Sequence, residues 1–190
     1  MATDLDWQQL DSHYDDAADL MLFRKRIDRL KNPRNGEVFD RLVLESVDWV
    51  NMVVLDTQRR CVMIRQYRFG VGYTTLETPG GMVDAGEDSA TAAARELLEE
   101  TGYVSNKWTY LGAVEPNPAF HNHLCHHWLA EAAEPVQAQD QGAGEAIQVE
   151  LMSEVEVRKA VTTGELRHAL ALSVLARVFD LWPRPFAHKA

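Results

Sequence analysis

Cysteine is scarce in this chain. Cys61 and Cys125 are the only two in 190 residues, they lie in different apolar segments, and no C-x-x-C spacing joins them. That excludes a disulfide framework and a thiol-rich zinc site, leaving buried free thiols as the expectation. Long hydrophobic runs are missing as well: none approaches the roughly 20 residues that a membrane span requires. The opening "MATDLDWQQLDSHYDD" is acidic where a signal peptide is basic and then apolar. A cytoplasmic location with no membrane partner is the expectation. Basic residues are outnumbered, 19 Lys and Arg against 29 Asp and Glu, for a formal net charge of −10. A surface that coats nucleic acid needs clustered Lys and Arg against the phosphates, so no nucleic-acid partner is expected. A small anionic substrate fits this charge only with a divalent cation and a few well-placed arginines to overcome the overall field.

What is present suits one domain of ordinary size, or a domain with a small appendage, since 46% hydrophobic residues supply a normal core. Residues 4–19 are polar, acidic and weakly periodic, and read as a short helix or a mobile segment. "LMLFRKRIDRL" and "EVFDRLVLES" alternate apolar and charged residues around "KNPRNG", where Asn35-Gly36 favours a tight turn; residues 20–46 are therefore expected to form a hairpin. "WVNMVVLD" and "CVMIRQYR" form a further strand pair across "TQRR", and "LETPGGMVDAGEDS" must be mostly loop. "TYLGAVE", "CHHWLAEA" and "AIQVELM" read as strands. Ser153 with Glu156 makes a capping box for a helix to about Thr162, and "ELRHALALSVLARVFDLW" predicts a longer helix ended by "PRP".

"RELLEETG" carries the chemistry. At about 100° per residue Glu96, Glu99 and Glu100 share one helical face, with Ala90, Ala94, Leu97, Leu98 and Thr101 roughly opposite. The helix is expected to start near Ser89, an acceptable N-cap with Asp88 beside it, and to end at Gly102. Like charges at this spacing cost about 0.2–0.5 kcal/mol per pair, and no lysine is interleaved to relieve them, so something cationic belongs there.

Reading outward, Gly81 is followed by Glu87 after five residues, and after seven more by Arg95, Glu96, Leu97, Glu99, Glu100, Gly102 and Tyr103. This spacing, G-x5-E-x7-R-E-U-x-E-E-x-G-U, resembles the Nudix box at every fixed position. Tyr103 is the one soft departure, standing where Ile, Leu or Val is usual. The run "ESVDWVNMVVLD…VMIRQYRFG…LETPGG", Pro118 fifteen residues past Tyr103, and the N-terminal hairpin are similar to the ADP-ribose pyrophosphatase and nucleoside diphosphate sugar hydrolase branch of that family. The resemblance covers nearly the whole chain from about residue 20. It implies a Nudix α/β/α sandwich with a mixed sheet at residues 47–190 and a small β-hairpin subdomain at residues 1–46 that serves dimerisation, giving a homodimer.

The resemblance also implies roles. Glu96 and Glu100 look like the main ligands of Mg²⁺, with Mn²⁺ as the other candidate; Glu99 contributes, and the carbonyl of Gly80 is a further ligand. Hard carboxylate and carbonyl oxygens suit these ions. Arg95 resembles the arginine that pairs with Glu87 to hold the loop on the helix. Glu145, in "DQGAGEAIQVEL", matches the loop position that often supplies a general base, or is an exposed loop acid. Arg68 reaches a phosphate or is a surface arginine. Trp49 stacks on a base or packs, and Glu77 ligates metal through water or binds ribose. Pro118 sits where the branch places a proline before a substrate-facing loop. Arg65, Gln66 and Tyr67 read as structural.

In "AFHNHLCHHW", His121, His123 and Cys125 share one side of an extended strand, as a transition-metal site would need; the loop histidines could instead lie near substrate, with His126 and His127 alternating between faces. Relatives preferring nucleoside diphosphate sugars tend to carry Asp-x-Lys where this chain has His168-Ala169-Leu170, which favours ADP-ribose. The reading is thus cleavage of the diphosphate of ADP-ribose to AMP and ribose 5-phosphate. A broad nucleoside diphosphate sugar or dinucleotide hydrolase is the alternative, and a non-hydrolysing ADP-ribose sensor is disfavoured because all the box glutamates are retained.

Overall fold

The structure, a computed structural model, describes residues 7–15, 20–142, 144 and 146–182. It divides into two compact units, Met1–Val47 with Glu115–Leu124, and Asp48–Val114 with Cys125–Ala190.

In the first unit β1 (Gln8–Tyr14), β2 (Arg24–Lys31) and β3 (Val38–Glu45) form an antiparallel sheet in the order β1-β2-β3. The expected hairpin is there, with Asp28 opposite Arg41 and Lys31 opposite Val38. Its connection is wider than the tight turn expected at Asn35-Gly36: the Asn32 amide donates to the Glu37 carbonyl at 2.8 Å, and Gly36 takes φ 75°. The third strand corrects the reading of residues 4–19 as helix or mobile segment. All seven residues of β1 are exposed, so no buried face imposed a period of two on the sequence. Asp28 is buried and holds this sheet together, accepting from Ser12 Oγ at 2.6 Å and from both Nε and Nη2 of Arg26 at 2.8 and 2.9 Å.

The second unit is built on a seven-stranded mixed sheet. Its path runs β10 (Ile147–Met152), β5 (Cys61–Arg68), β4 (Trp49–Asp56), β9 (Cys125–Pro135), β7 (Tyr103–Val104), with β6 (Tyr73–Glu77) on β5 and β8 (Lys107–Val114) on β9. Among the described strands of this sheet only β4 and β9 run parallel, with Val50 opposite His126. Seven of the eight residues of β4 are buried because both faces are covered. Val50, Met52 and Val54 pack with Ala92, Ala93 and Leu97 of α1 (Ser89–Thr101). Val53 and Leu55 pack on the other face with Val157 and Ala160 of α2 (Glu154–Thr163) and Val174 and Leu175 of α3 (Ala169–Leu175). Helices on both faces of one sheet make the α/β/α sandwich.

The helix ends follow local chemistry. Asp88 is the N-cap of α1, accepting from the Thr91 amide at 2.8 Å, so Ser89 is the first helical residue rather than the cap. Gly102 ends the helix at φ 74°, and a Cβ there would lie 2.2 Å from the Gln137 carbonyl oxygen, so only glycine fits. Ser153 and Glu156 form the expected capping box of α2. The long helix predicted over "ELRHALALSVLARVFDLW" is shorter than expected. Leu166 and Leu181, outside α3, are still buried, so the apolar run fills the core without continuous helix. The "PRP" expected to end it lies outside the described residues.

Candidate active site

The loop between β6 and α1 is sewn to the start of β4. Val50 and Gly81 exchange amide–carbonyl hydrogen bonds at 2.8 and 3.1 Å, the Met52 amide donates to Pro79 at 3.0 Å, and the Val83 amide donates to Asp48 at 2.8 Å. The carbonyl of Gly80 takes no part in this stitching. Asn51 secures the turn from beneath: buried, it donates from Nδ2 to the carbonyls of Thr78 and Pro79 at 3.3 and 3.0 Å and accepts from Thr78 Oγ1 at 2.8 Å. Sequence reasoning passed over Asn51. Its signal was a lone amide inside an apolar strand, which must find partners if buried.

The loop lies directly on the acidic face of α1. A Cβ on Gly81 would stand 2.2 Å from Glu96 Oε1, and the Gly80 amide donates to Glu100 Oε2 at 2.9 Å. Glu100 is therefore buried, on the packed side of the helix together with Ala92, Ala93, Leu97 and Thr101, while Ala94, expected on that side, is exposed. The cation demanded by the glutamates comes from the helix itself. Arg95 donates to both oxygens of Glu87 at 3.1 and 3.0 Å, to Glu96 Oε1 at 2.9 Å, to Glu99 Oε2 at 3.0 Å, and to the Met82 carbonyl at 2.9 Å. The hydrogen bond with Glu87, against the opposing effect of burial, raises the Arg95 pKa, and the same contact holds the Glu87 carboxyl below its usual range. One guanidinium thus joins loop, helix and three carboxylates, which a lysine point charge could not do.

Among the described residues no three His, Cys, Asp or Glu side chains converge as a ready-made metal cage. The donor set nevertheless fits a hard divalent cation, because Mg²⁺ is commonly held by one or two carboxylates plus waters and substrate phosphates. Glu96, Glu99 and Glu100 lie at i, i+3 and i+4, beside the Gly80 amide that Glu100 binds.

A second cluster centres on Glu77, which is 1% exposed at the end of β6. Arg68 grips it with Nε and Nη2 at 2.8 and 2.7 Å, Thr75 Oγ1 donates to it, and His168 Nε2 lies 3.6 Å away. Burial works to raise this carboxyl, but the Arg68 and Thr75 hydrogen bonds and the charges of His168 and Arg68 outweigh it, so its pKa lies below the usual range. Arg68 and Glu77, proposed separately from the sequence, are each other's partners here. His168 also caps α3, accepting from the Ala171 amide at 3.4 Å. Arg65 binds Glu150 and Glu165, each at 2.6 Å. Trp49 is partly buried and bridges to Met82 in the glycine loop.

Pro118 belongs to the first unit, as do His121 and His123, whose rings stack at 5.1 Å; Cys125, His126 and His127 belong to the second. His127 is fully buried, and burial, with the charges of Arg177 and His126, lowers its pKa to about 4. Cys61 and Cys125 are buried free thiols pushed up to about 12 by burial. Glu145 lies outside the described residues.

A mixed sheet between helices, with a glycine loop clamped by an arginine onto a triple-glutamate helix, defines a sandwich built to present carboxylates under a backbone turn. Comparison with known proteins agrees: the model of the NUDIX domain matches residues 47–172, and the chain belongs to the Nudix family. Similar curated proteins include an ADP-ribose pyrophosphatase of Bacillus subtilis (strain 168), 32% identical over 51% of this chain and 52% of its own length. A methanol dehydrogenase activator of Bacillus methanolicus is 29% identical over 56% of this chain and 57% of its own length. The chain thus spans little more than half the length of these two. An ADP-ribose pyrophosphatase of Mycobacterium tuberculosis is 29% identical over 80% and 74%. A solved ADP compounds hydrolase shares the fold, with a TM-score of 0.77 at 22% identity over 90% of this chain and 91% of that one.

Proposed function

We propose that this Nudix chain is a Mg²⁺-dependent pyrophosphohydrolase that uses water to split ADP-ribose into AMP and ribose 5-phosphate. The observation that carries the reading is the assembled box: Arg95 bound to Glu87, Glu96 and Glu99, with Glu100 held by the Gly80 amide. A degenerate sensor would have no need to keep these groups in register. The pyrophosphatases among its relatives support the substrate class. Nudix hydrolases use divalent metal ions, and such an ion, when bound, supplies Lewis acidity and a more acidic water.

The remaining steps fall to the chain's own residues. Glu96, Glu99, Glu100 and the Gly80 carbonyl hold the ion, and Glu145 takes the proton from the attacking water. Arg68 steadies a phosphate, for which its fork must exchange Glu77 for the substrate. Trp49 stacks on the base, Glu77 binds ribose, and Pro118 sets a substrate-facing loop. Residues 1–46 act as the dimerisation subdomain of a cytoplasmic homodimer whose hydrolase domain is residues 47–190.

The test is product release from ADP-ribose, UDP-glucose, GDP-mannose, NADH and diadenosine polyphosphates with Mg²⁺, beside a Glu100→Gln control. AMP appearing fastest from ADP-ribose and vanishing in the control is the expected result. Faster release from another of these substrates would replace ADP-ribose, and binding of ADP-ribose without turnover of any substrate would place the chain among sensors.

A further inference from the structure

Beside the glycine loop, on the second unit's sheet, three side chains are hydrogen-bonded in series. Tyr110 Oη meets His126 Nδ1 at 3.0 Å, and His126 Nε2 meets Asp48 Oδ2 at 3.1 Å. Tyr110 stands on β8 and His126 on β9, while Asp48 immediately precedes β4. The tyrosine ring also lies 4.9 Å from the Trp128 ring, which packs in turn on Trp108 at 6.3 Å, so the outer end of the series is braced by an aromatic row. Asp48 is where the series reaches the site. Its carbonyl accepts the Val83 amide at 2.8 Å, and the carbonyl of the preceding residue, Met82, is the one held by Arg95 at 2.9 Å.

We propose that His126 is a positioning residue of this site: held by Tyr110, it fixes Asp48, and Asp48 fixes the Met82–Val83 backbone against which Arg95 sets the glutamates. The motif contains no reference to this series, since neither Tyr110 nor His126 lies in it. A hydrogen-bonded imidazole has two directional contacts, and here one points to each neighbour, so its ring plane is determined from both sides. His126 holds the Asp48 side chain and Val83 its backbone carbonyl, so the link runs through the Asp48 Cα: a change in the backbone torsions of Asp48 moves the carbonyl that receives Val83, and with it the Met82 carbonyl. Since catalysis is sensitive to displacements of about 1 Å in the groups around the reacting atoms, the expected penalty falls on turnover and leaves substrate binding largely intact.

The inference rests on the pyrophosphohydrolase reading only for its activity readout. The experiment therefore begins without substrate, on the full chain, with amide hydrogen exchange and the NMR signal of the Arg95 Nε–H in the parent, His126→Phe, His126→Gln and Asp48→Asn. Phenylalanine keeps a ring against Tyr110 and removes both nitrogens, whereas glutamine restores a donor towards Asp48. In His126→Phe, Val83 exchange should rise about three- to tenfold, the opening expected when one net hydrogen bond is lost, with Met63 in the sheet centre unchanged. The Arg95 signal should shift, and His126→Gln should return both towards the parent. With ADP-ribose, kcat of His126→Phe should fall about tenfold and KM stay within about twofold, the split of a group that acts on assembly and not on substrate binding. Unchanged Val83 exchange and an unmoved Arg95 signal in His126→Phe overturn the inference and leave the ADP-ribose reading standing. Changed exchange in a protein that turns over no substrate at all would sustain the linkage and overturn that reading instead.

Discussion

Adding one methyl group at each of two adjacent glycines separates the structural from the chemical role of the loop. In Gly81→Ala the three atoms nearest the new Cβ all belong to a side-chain end, Glu96 Oε1 at 2.2 Å, Cδ at 2.3 Å and Oε2 at 2.5 Å. The carboxylate must retreat by about 1 Å to reach ordinary contact distance. A flexible glutamate does so at low cost, so stability should change by less than about 1 kcal/mol. Activity should fall about 100-fold, since a displacement of that size at an oriented group costs this much. In Gly80→Ala the Cβ meets the Val50 carbonyl oxygen at 2.3 Å, Asn51 Nδ2 at 2.6 Å and Asn51 Cα at 2.9 Å, all at the start of a central strand. Nothing there swings aside. The loop must lift from β4, at an overpacking cost of about 1–3 kcal/mol. Urea unfolding with a slope of about 1–3 kcal/mol/M would show a midpoint lower by about 1 M. AMP release from ADP-ribose gives the second axis. A fully active Gly81→Ala, or a Gly80→Ala with an unchanged midpoint, would refute this account of how the loop seats on the helix.

His127 is buried with a pKa lowered from 6.5 to about 4, so the unfolded chain takes the proton first; its contribution is complete above pH 6.5 and is lost as pH falls through about 4. That span corresponds to about 3 kcal/mol, and His127→Phe should flatten the urea-derived stability profile across it relative to the parent. Glu77, lowered from 4.5, contributes above that value and ceases to as pH falls through its folded pKa, so the parent should lose stability on the acid side and Glu77→Gln should lose less. At pH 7 Glu77→Gln should cost roughly 1–3 kcal/mol in urea unfolding, moderated because Arg68 is 40% exposed and water screens its side.

The most legible parts of the chain were those whose information is local. The strands at 49–56 and 61–68 and the helix from Ser89 to Gly102 were read from apolar runs, periodicity and terminal residues lying next to one another. The box was legible for the same reason, being a spacing along a single loop and helix. Reading failed where the local signal was absent or ambiguous. β1 exposes every residue, and the apolar run after Glu165 suits buried coil as well as helix. Asn51 was missed because its partners, Thr78 and Pro79, lie 27 and 28 positions away.

By itself, then, the sequence determined the family, the acidic helix with its glycine end at Gly102, and the need for a cation beside the glutamates, since composition, periodicity and capping are properties of neighbours in the chain; the N-cap fell one residue before the expected Ser89, at Asp88. Only the tertiary structure decided which groups meet. It paired β4 with β9 in parallel, spent the Arg68 fork on Glu77, spread Arg95 over three carboxylates and a carbonyl, and joined Tyr110, His126 and Asp48. Those contacts follow from sheet order and strand register, which arise when distant segments compete for the same edges and faces, and no single segment carries that outcome.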